Sequence, residues 1–168
     1  MDKMYVAFAR SNFQQEIFEN YHDLIAFGTS CLFIEEDQDD IVRFSARHIK
    51  EIYITEDQRG FVDTIYRKFK MTAKAAFDRF GKDQLSRDLL VKFQKTPFDD
   101  VEMVHVVRRR NVFDPKKIDK QNMPFQSVYM EYETGHIISI GGFREFPYVV
   151  PRYLKASNEI YGRSPGMN

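Results

Sequence analysis

The sequence contains no tryptophan and only one cysteine, Cys31, in 168 residues. A lone thiol excludes an internal disulfide framework and points to a reducing compartment. Neither sign of charge is in excess: 25 Lys and Arg stand against 25 Asp and Glu, a formal net charge of zero. A free-standing nucleic-acid binder carries a basic surplus, because neutralised phosphates supply most of its affinity. Global charge therefore does not mark this chain as one. Apolar runs of membrane-helix length are missing, and the first residues hold no signal-peptide-like apolar core, so synthesis in the cytosol is expected. Internal repeats and low-complexity stretches are also lacking.

What is present is ordinary for a globular protein of one-domain size, with 43% hydrophobic and 30% charged residues. The exception is the aromatic content, 16 Phe and 9 Tyr. Much of the core must be ring packing, with several tyrosine hydroxyls kept at the surface or at a contact.

Apolar residues at Phe13, Ile17, Tyr21, Leu24 and Gly28, with Phe18 and Ile25 on the adjoining stripe, predict one amphipathic helix from Val6 to Phe27, closed by Gly28. Strands are expected at 31–35 and 41–45 about the acidic turn 36–40, and at 51–55 and 61–69 about the turn 56–60. Two helices follow. The first, within 71–81, is capped by Thr72 and ended by Gly81; the second runs from Asp83 to Lys95, with Leu85, Leu89, Val91 and Phe93 partly buried, and stops at Pro97. The valine-rich stretch 101–108 reads as a central strand, and 109–123 as an exposed excursion. A hairpin about Thr134-Gly135 joins strands 125–133 and 136–140, Gly141-Gly142 breaks it, and 148–153 forms a final strand whose Pro151 implies an edge or an end. Helix, strands, helices, strands is the order of an α+β fold: an N-terminal amphipathic helix and an antiparallel sheet, SH3-like form being one option, with two helices inserted mid-chain.

Local spacing does not assemble a catalytic set. Five carboxylates in six residues at 35–40 could attract a hard cation such as calcium, but the glycine and distant glutamate of an EF-hand are absent, and a solvated hairpin tip is the plainer reading. His22, His48, His105 and His136 are scattered, with no His-x-x-x-His pair and no neighbouring cysteine. His105, inside a buried strand, reads as a hydrogen-bonded core histidine, and His136 as exposed. Cys31 follows a helix C-terminus rather than an N-terminus, so a packed, inert thiol is expected. Arg108, Arg109 and Arg110, reinforced by Lys116, Lys117 and Lys120, are the one nucleic-acid or acidic-surface candidate. Asp114 and Asp119 dilute them, and a strand running out into a solvated loop is the competing reading. No metal, cofactor or catalytic residue is assigned.

The stretch 151–168 stands apart. Ser164 before Pro165 has the form of an N-cap with proline at the first helical position, a helix start with little chain after it. The expectation is that the chain is part of a longer polypeptide.

Four blocks carry a resemblance. Phe27-Gly-Thr-Ser-Cys-Leu-Phe-Ile-Glu-Glu36, Val62-Asp-Thr-Ile-Tyr-Arg-Lys-Phe-Lys-Met-Thr-Ala-Lys-Ala-Ala76, Phe146-Pro-Tyr-Val-Val-Pro-Arg-Tyr153 and Glu159-Ile-Tyr-Gly-Arg-Ser-Pro-Gly-Met167 resemble, in that order, segments of podovirus-type bacteriophage head-to-tail connecting (portal) proteins. The match is looser between Lys82 and Gln126. The resemblance implies a non-enzymatic subunit of a portal ring, commonly of twelve copies, through which DNA is packaged and ejected. Residues 1–161 would be a single α+β outer wing and residues 162–168 the start of a truncated stem. Capsid and scaffold proteins, terminase and tail adaptor would be partners of the whole protein, with channel DNA not touched by this part and no membrane involved. The expected location is the virion, after synthesis in the host cytoplasm. Taken alone, the chain is expected to be a monomer or weak oligomer. Two other readings compete with this one: a non-catalytic protein-interaction module using exposed Tyr and Phe, and a metal-assisted hydrolase using the acidic turn with His48 or His136.

Overall fold

The computed structural model describes residues 2–37, 39–117 and 119–167. Gln38 of the acidic turn, Ile118 of the basic excursion and Asn168 therefore lie outside the described residues. The fold is α+β with antiparallel sheets, as the element order predicts, and it divides into two compact units. The first unit comprises the chain up to Val62 together with the segment from Phe146 onward, and the second comprises Asp63–Glu145.

The first unit opens with two helices rather than one, α1 (Asp2–Arg10) and α2 (Phe13–Phe27). The break falls at Ser11-Asn12, beside a strand edge. A three-stranded sheet, in the order β2-β1-β8, is built from β1 (Leu32–Asp37), β2 (Ile41–Ala46) and β8 (Tyr148–Val149). Strand β2 lies at its edge, where unpaired backbone groups need partners. The Asn12 side chain supplies them: its amide nitrogen donates to Phe44 O at 2.8 Å, and its oxygen accepts from Phe44 N at 3.0 Å. Glu16 continues the row, accepting from Ala46 N at 2.6 Å. Asn12, between the two helices, and Glu16, one turn into α2, thus line the same strand edge.

Ring packing fills this unit. Phe8 stacks on Phe13 at 4.6 Å and both meet Phe44 edge-on, while Phe33 packs on Tyr148 at 4.6 Å. Pairs of this kind add about 0.5–1.5 kcal/mol each beyond their buried area. Cys31 is buried, as are Leu32, Phe33, Ile52 and Ile54 of the same unit. The helix stripe is shifted from expectation: Asn20 is the buried position on α2, and Tyr21, Phe18 and Ile25 face outward. The segment also carries a 3₁₀ turn (Ile49–Glu51) and β3 (Ile52–Glu56).

In the second unit, β4 (Val62–Thr72), β5 (Asp100–Arg109), β6 (Phe125–Glu131) and β7 (Ile137–Phe143) pair antiparallel in sequence order. The valine strand β5 is central, flanked by β4 and β6. Helices α3 (Ala73–Phe80) and α4 (Arg87–Lys95) contribute Ala73, Ala76 and Leu89 to a core with Phe69, Met103 and Ile138. Phe77 and Phe93 stack there at 4.2 Å, nearly parallel. Thr72 caps α3 as predicted, its hydroxyl accepting from Ala75 N at 3.2 Å.

Three expectations are corrected here. The helix expected over 83–95 is a 3₁₀ turn (Lys82–Gln84) followed by α4, because Ser86 caps Leu89 N and starts the helix later. Val91 faces solvent. Gly141 and Gly142 do not break the hairpin but lie inside β7, where a 3₁₀ turn (Lys120–Asn122) crosses the strand at Gly142. A Cβ on Gly142 would meet Met123 Cβ and Phe125 O at 2.9 Å.

Buried Glu131 ties α4 to the sheet. It accepts from Ser86 N at 3.0 Å, Ser86 Oγ at 2.7 Å and Thr134 Oγ1 at 2.9 Å. Removing it orphans donors at a helix start and a hairpin turn together, and each buried orphan costs about 1–3 kcal/mol. Glu131→Ala should therefore lower the urea-unfolding free energy by about 2–3 kcal/mol, and Ser86→Ala by about 1 kcal/mol. Equal, near-zero effects would contradict the tie.

Candidate functional site

The sequence blocks that stand far apart in the chain meet at one junction of the first unit. Helix α2 ends at Gly28, whose φ of +75° is left-handed and whose N–H donates to Leu24 O at 2.9 Å. The chain from Pro151 onward comes back across it. Ser30 N donates to Pro151 O at 3.2 Å and Tyr153 N to Gly28 O at 2.9 Å, with Thr29 bridged to Arg152. Further along, the chain crosses again, and Gly162 N donates to the buried Thr29 Oγ1 at 2.7 Å.

Only glycine fits at either crossing. A Cβ on Gly28 would overlap the backbone of Arg163 and Ser164, and one on Gly162 would overlap Gly28 O and lie 2.9 Å from Arg152 Cβ. This is close backbone approach of the kind a side chain forbids. The loop between the crossings is held by charge. Arg152 pairs with Glu56 and also reaches Gly60 O at 3.1 Å, and Lys155 Nζ lies 2.6 Å from Glu56 Oε2. The Arg152 and Glu56 side chains are 15% and 14% exposed, so their pairing is screened far less than a surface ion pair. Tyr161 clips the loop to β3, its hydroxyl accepting from Ile54 N at 3.3 Å and donating to Ile52 O at 3.4 Å. At the exit, Arg163 pairs with Glu159. The guanidinium bond, ahead of its charge, holds the Glu159 carboxyl below its usual range and raises Arg163 in turn.

Ser164 is buried, and after it Pro165–Met167 forms one 3₁₀ turn, with Met167 N donating to Ser164 O at 3.0 Å. The helix-start reading of Ser164-Pro165 thus coincides with a turn.

The junction has no reactive set. Ser30 Oγ is buried with no hydrogen-bond partner among the described residues, so no base activates it there. Elsewhere, the candidates occupy structural places. His105 is buried, 2.9 Å from Ser127 Oγ and stacked on Tyr129 at 3.9 Å, as expected of a core histidine. His136 is exposed and bonded to Gln84 O at 3.0 Å, and His48 Nδ1 accepts from Lys50 N. The acidic turn folds on itself: Asp37 accepts from Asp39 N and Asp40 N, and these bonds, that from Asp40 foremost, lower its pKa. No group of three His, Cys, Asp or Glu positioned for a metal occurs among the described residues. A cavity of about 70 Å³ beside Glu131 and Glu133 is too small for a substrate-sized molecule.

The arginine cluster divides. Arg108 is exposed and bonds Gln126 at 3.1 Å, and Arg109 is exposed at the strand end. Arg110 turns inward, donating to Gly141 O at 2.9 Å. Only part of the cluster is therefore presented to a partner. Sequence reasoning missed the Glu56–Arg152–Lys155 group and the acceptor role of Thr29. The adjacent Gly28-Thr29 and Pro151-Arg152 were visible, but their meeting depends on a separation of roughly a hundred residues or more, which no local pattern spans.

The chain matches, over residues 1–168, the family model described as bacteriophage head to tail connecting protein. It is 32% identical over 167 residues to a probable portal protein of Bordetella phage BPP-1, and 31% identical over 169 residues to a portal protein of Salmonella phage epsilon15. Each alignment covers 98% of this chain and 30% of the relative, so the chain spans about 30% of the length of the curated relatives it matches.

Gly28→Ala and Gly162→Ala should each destabilise the first unit by about 2–4 kcal/mol, since backbone overlap acts at both and left-handed strain adds to it at Gly28. Gly81 is the control, with φ +78° and nothing within 4 Å of the place a Cβ would take. Gly81→Ala carries backbone strain without overlap and should cost less than either, about 1–2 kcal/mol. Equal losses at all three sites in chemical denaturation would rule out the close crossing.

Proposed function

The chain belongs to the bacteriophage head to tail connecting protein family, and from that premise we propose that it forms the outer wing of a phage portal subunit. In this reading it is a structural part of the ring through which DNA enters and leaves the capsid. Residues 1–161 make the wing, and residues 162–168 lead into a stem segment. The observation that carries the proposal is the chain-long family match, with three of the four resembling blocks converging on the Gly28–Gly162 crossing. The conformation they build is a device for aiming the backbone at Ser164-Pro165.

The remaining features agree. The zero net charge suits a part that faces protein rather than channel DNA. No helix of the described residues is long and apolar enough to cross a membrane. Ring partners are further copies of the same protein, twelve in the usual arrangement; capsid and scaffold proteins, terminase and tail adaptor meet the whole protein, in the host cytoplasm during assembly and in the virion afterwards. The role is mechanical, with packaging energy supplied by the terminase.

Antibodies raised against this chain test the reading on particles released from cells carrying its gene. Gold label at a single vertex per capsid, the one bearing the tail, is the expected result. Label spread over all vertices, or on no particle, would remove the portal assignment.

A further inference from the structure

Identical subunits close a ring only when each carries two different surfaces that fit one another. We propose that the outer face of α2 and the segment 108–120, the end of β5 and the start of the excursion, are such a pair, with α2 of one copy receiving Val112 and Phe113 of a second copy. The inference rests on the portal reading for the ring, but its observations belong to this chain alone.

The receiving face is unusual for a surface helix. Phe18 is 75% exposed, and Tyr21 and Ile25 follow on the same side. Beside Phe18 opens a groove of about 340 Å³, lined by Glu19, His22, Asp23, Ala46 and His48. Glu19 and Asp23 line that groove, and residues 13–27 hold no Lys or Arg, so the stripe has an acidic border.

The entering segment has the opposite character. Residues 108–120 include six basic and two acidic ones, and every basic one but Arg110 is exposed. It also carries exposed apolar residues, Val112 at 89% and Phe113 at 36%. Lys116 and Lys117 are exposed and make no ion pair among the described residues. The two exposed apolar patches thus have borders of opposite charge. Each patch offers what the other needs, an apolar contact framed by complementary charge. A phosphate backbone would satisfy the lysines and leave Val112 and Phe113 in water, so a second copy fits the whole segment better than nucleic acid does.

Two single additions test the contact without touching its anchors: His22→Cys in one preparation and Asn111→Cys in another, with Cys31 left in place because it is buried. On oxidation of the mixed proteins, the 22–111 dimer should exceed either same-site dimer by about tenfold. Lys116→Glu with Lys117→Glu in the Asn111→Cys chain should reduce it to background. A partner carrying Glu19→Lys with Asp23→Lys should restore it, which a misfolded variant could not do. Statistical mixing of the three dimers, or a yield indifferent to the reversed charges, overturns the pairing. So does retention of duplex DNA by the excursion at the expense of the 22–111 bond. Assembled rings that lack the 22–111 bond reject this interface and leave the portal reading intact. The bond forming in a protein that labels no capsid vertex rejects the portal reading and leaves the interface.

Discussion

The backbone-to-backbone crossing of Gly28 and Gly162 is the constraint on which the first unit depends. At that point a helix end, a strand entrance and a returning segment occupy space that one methyl group would fill. The left-handed turn at Gly28 stops α2 and starts the path into β1. The same turn exposes Gly28 O to Tyr153 N and places Thr29 Oγ1 under Gly162 N. One residue without a side chain therefore sets the direction of three segments.

Charge and hydrogen bonding in this molecule hold distant parts of the chain together. Asn12 and Glu16 cover the edge of β2. Glu131 joins a helix cap to a hairpin, and Glu56 gathers Arg152 and Lys155 against the returning loop. A partly buried carboxylate stripped of its cations is costly, so the Glu56 group locks the loop once the glycines have let it approach.

Much of this was legible in the sequence wherever a local rule operates. Gly28 as helix terminator, Thr72 as cap, the 134–135 turn and the central valine strand each follow from spacing within one element. The buried, hydrogen-bonded His105 follows from its strand context. What escaped depends on distant partners. Asn12 reads as an ordinary helix residue until β2 lies beside it, and Gly141-Gly142 reads as a breaker until the Lys120–Asn122 turn crosses the strand. The periodicity of α2 placed Tyr21 inward because it counts apolar residues, whereas packing selected Asn20. The Arg152–Glu56 pairing joins residues 96 positions apart, beyond the reach of any local pattern.

Everything in the first unit turns on residues 151–164 being an integral part of it and not an appended tail. Native-state hydrogen exchange measures this directly, since protection reports the opening energy of each bonded amide. The amides of Ser30, Tyr153 and Gly162 should exchange as slowly as that of Ile34, which is bonded to Pro147 O within the same unit. A Gly162 amide exchanging at open-chain rates while Ile34 stays protected would contradict that integration.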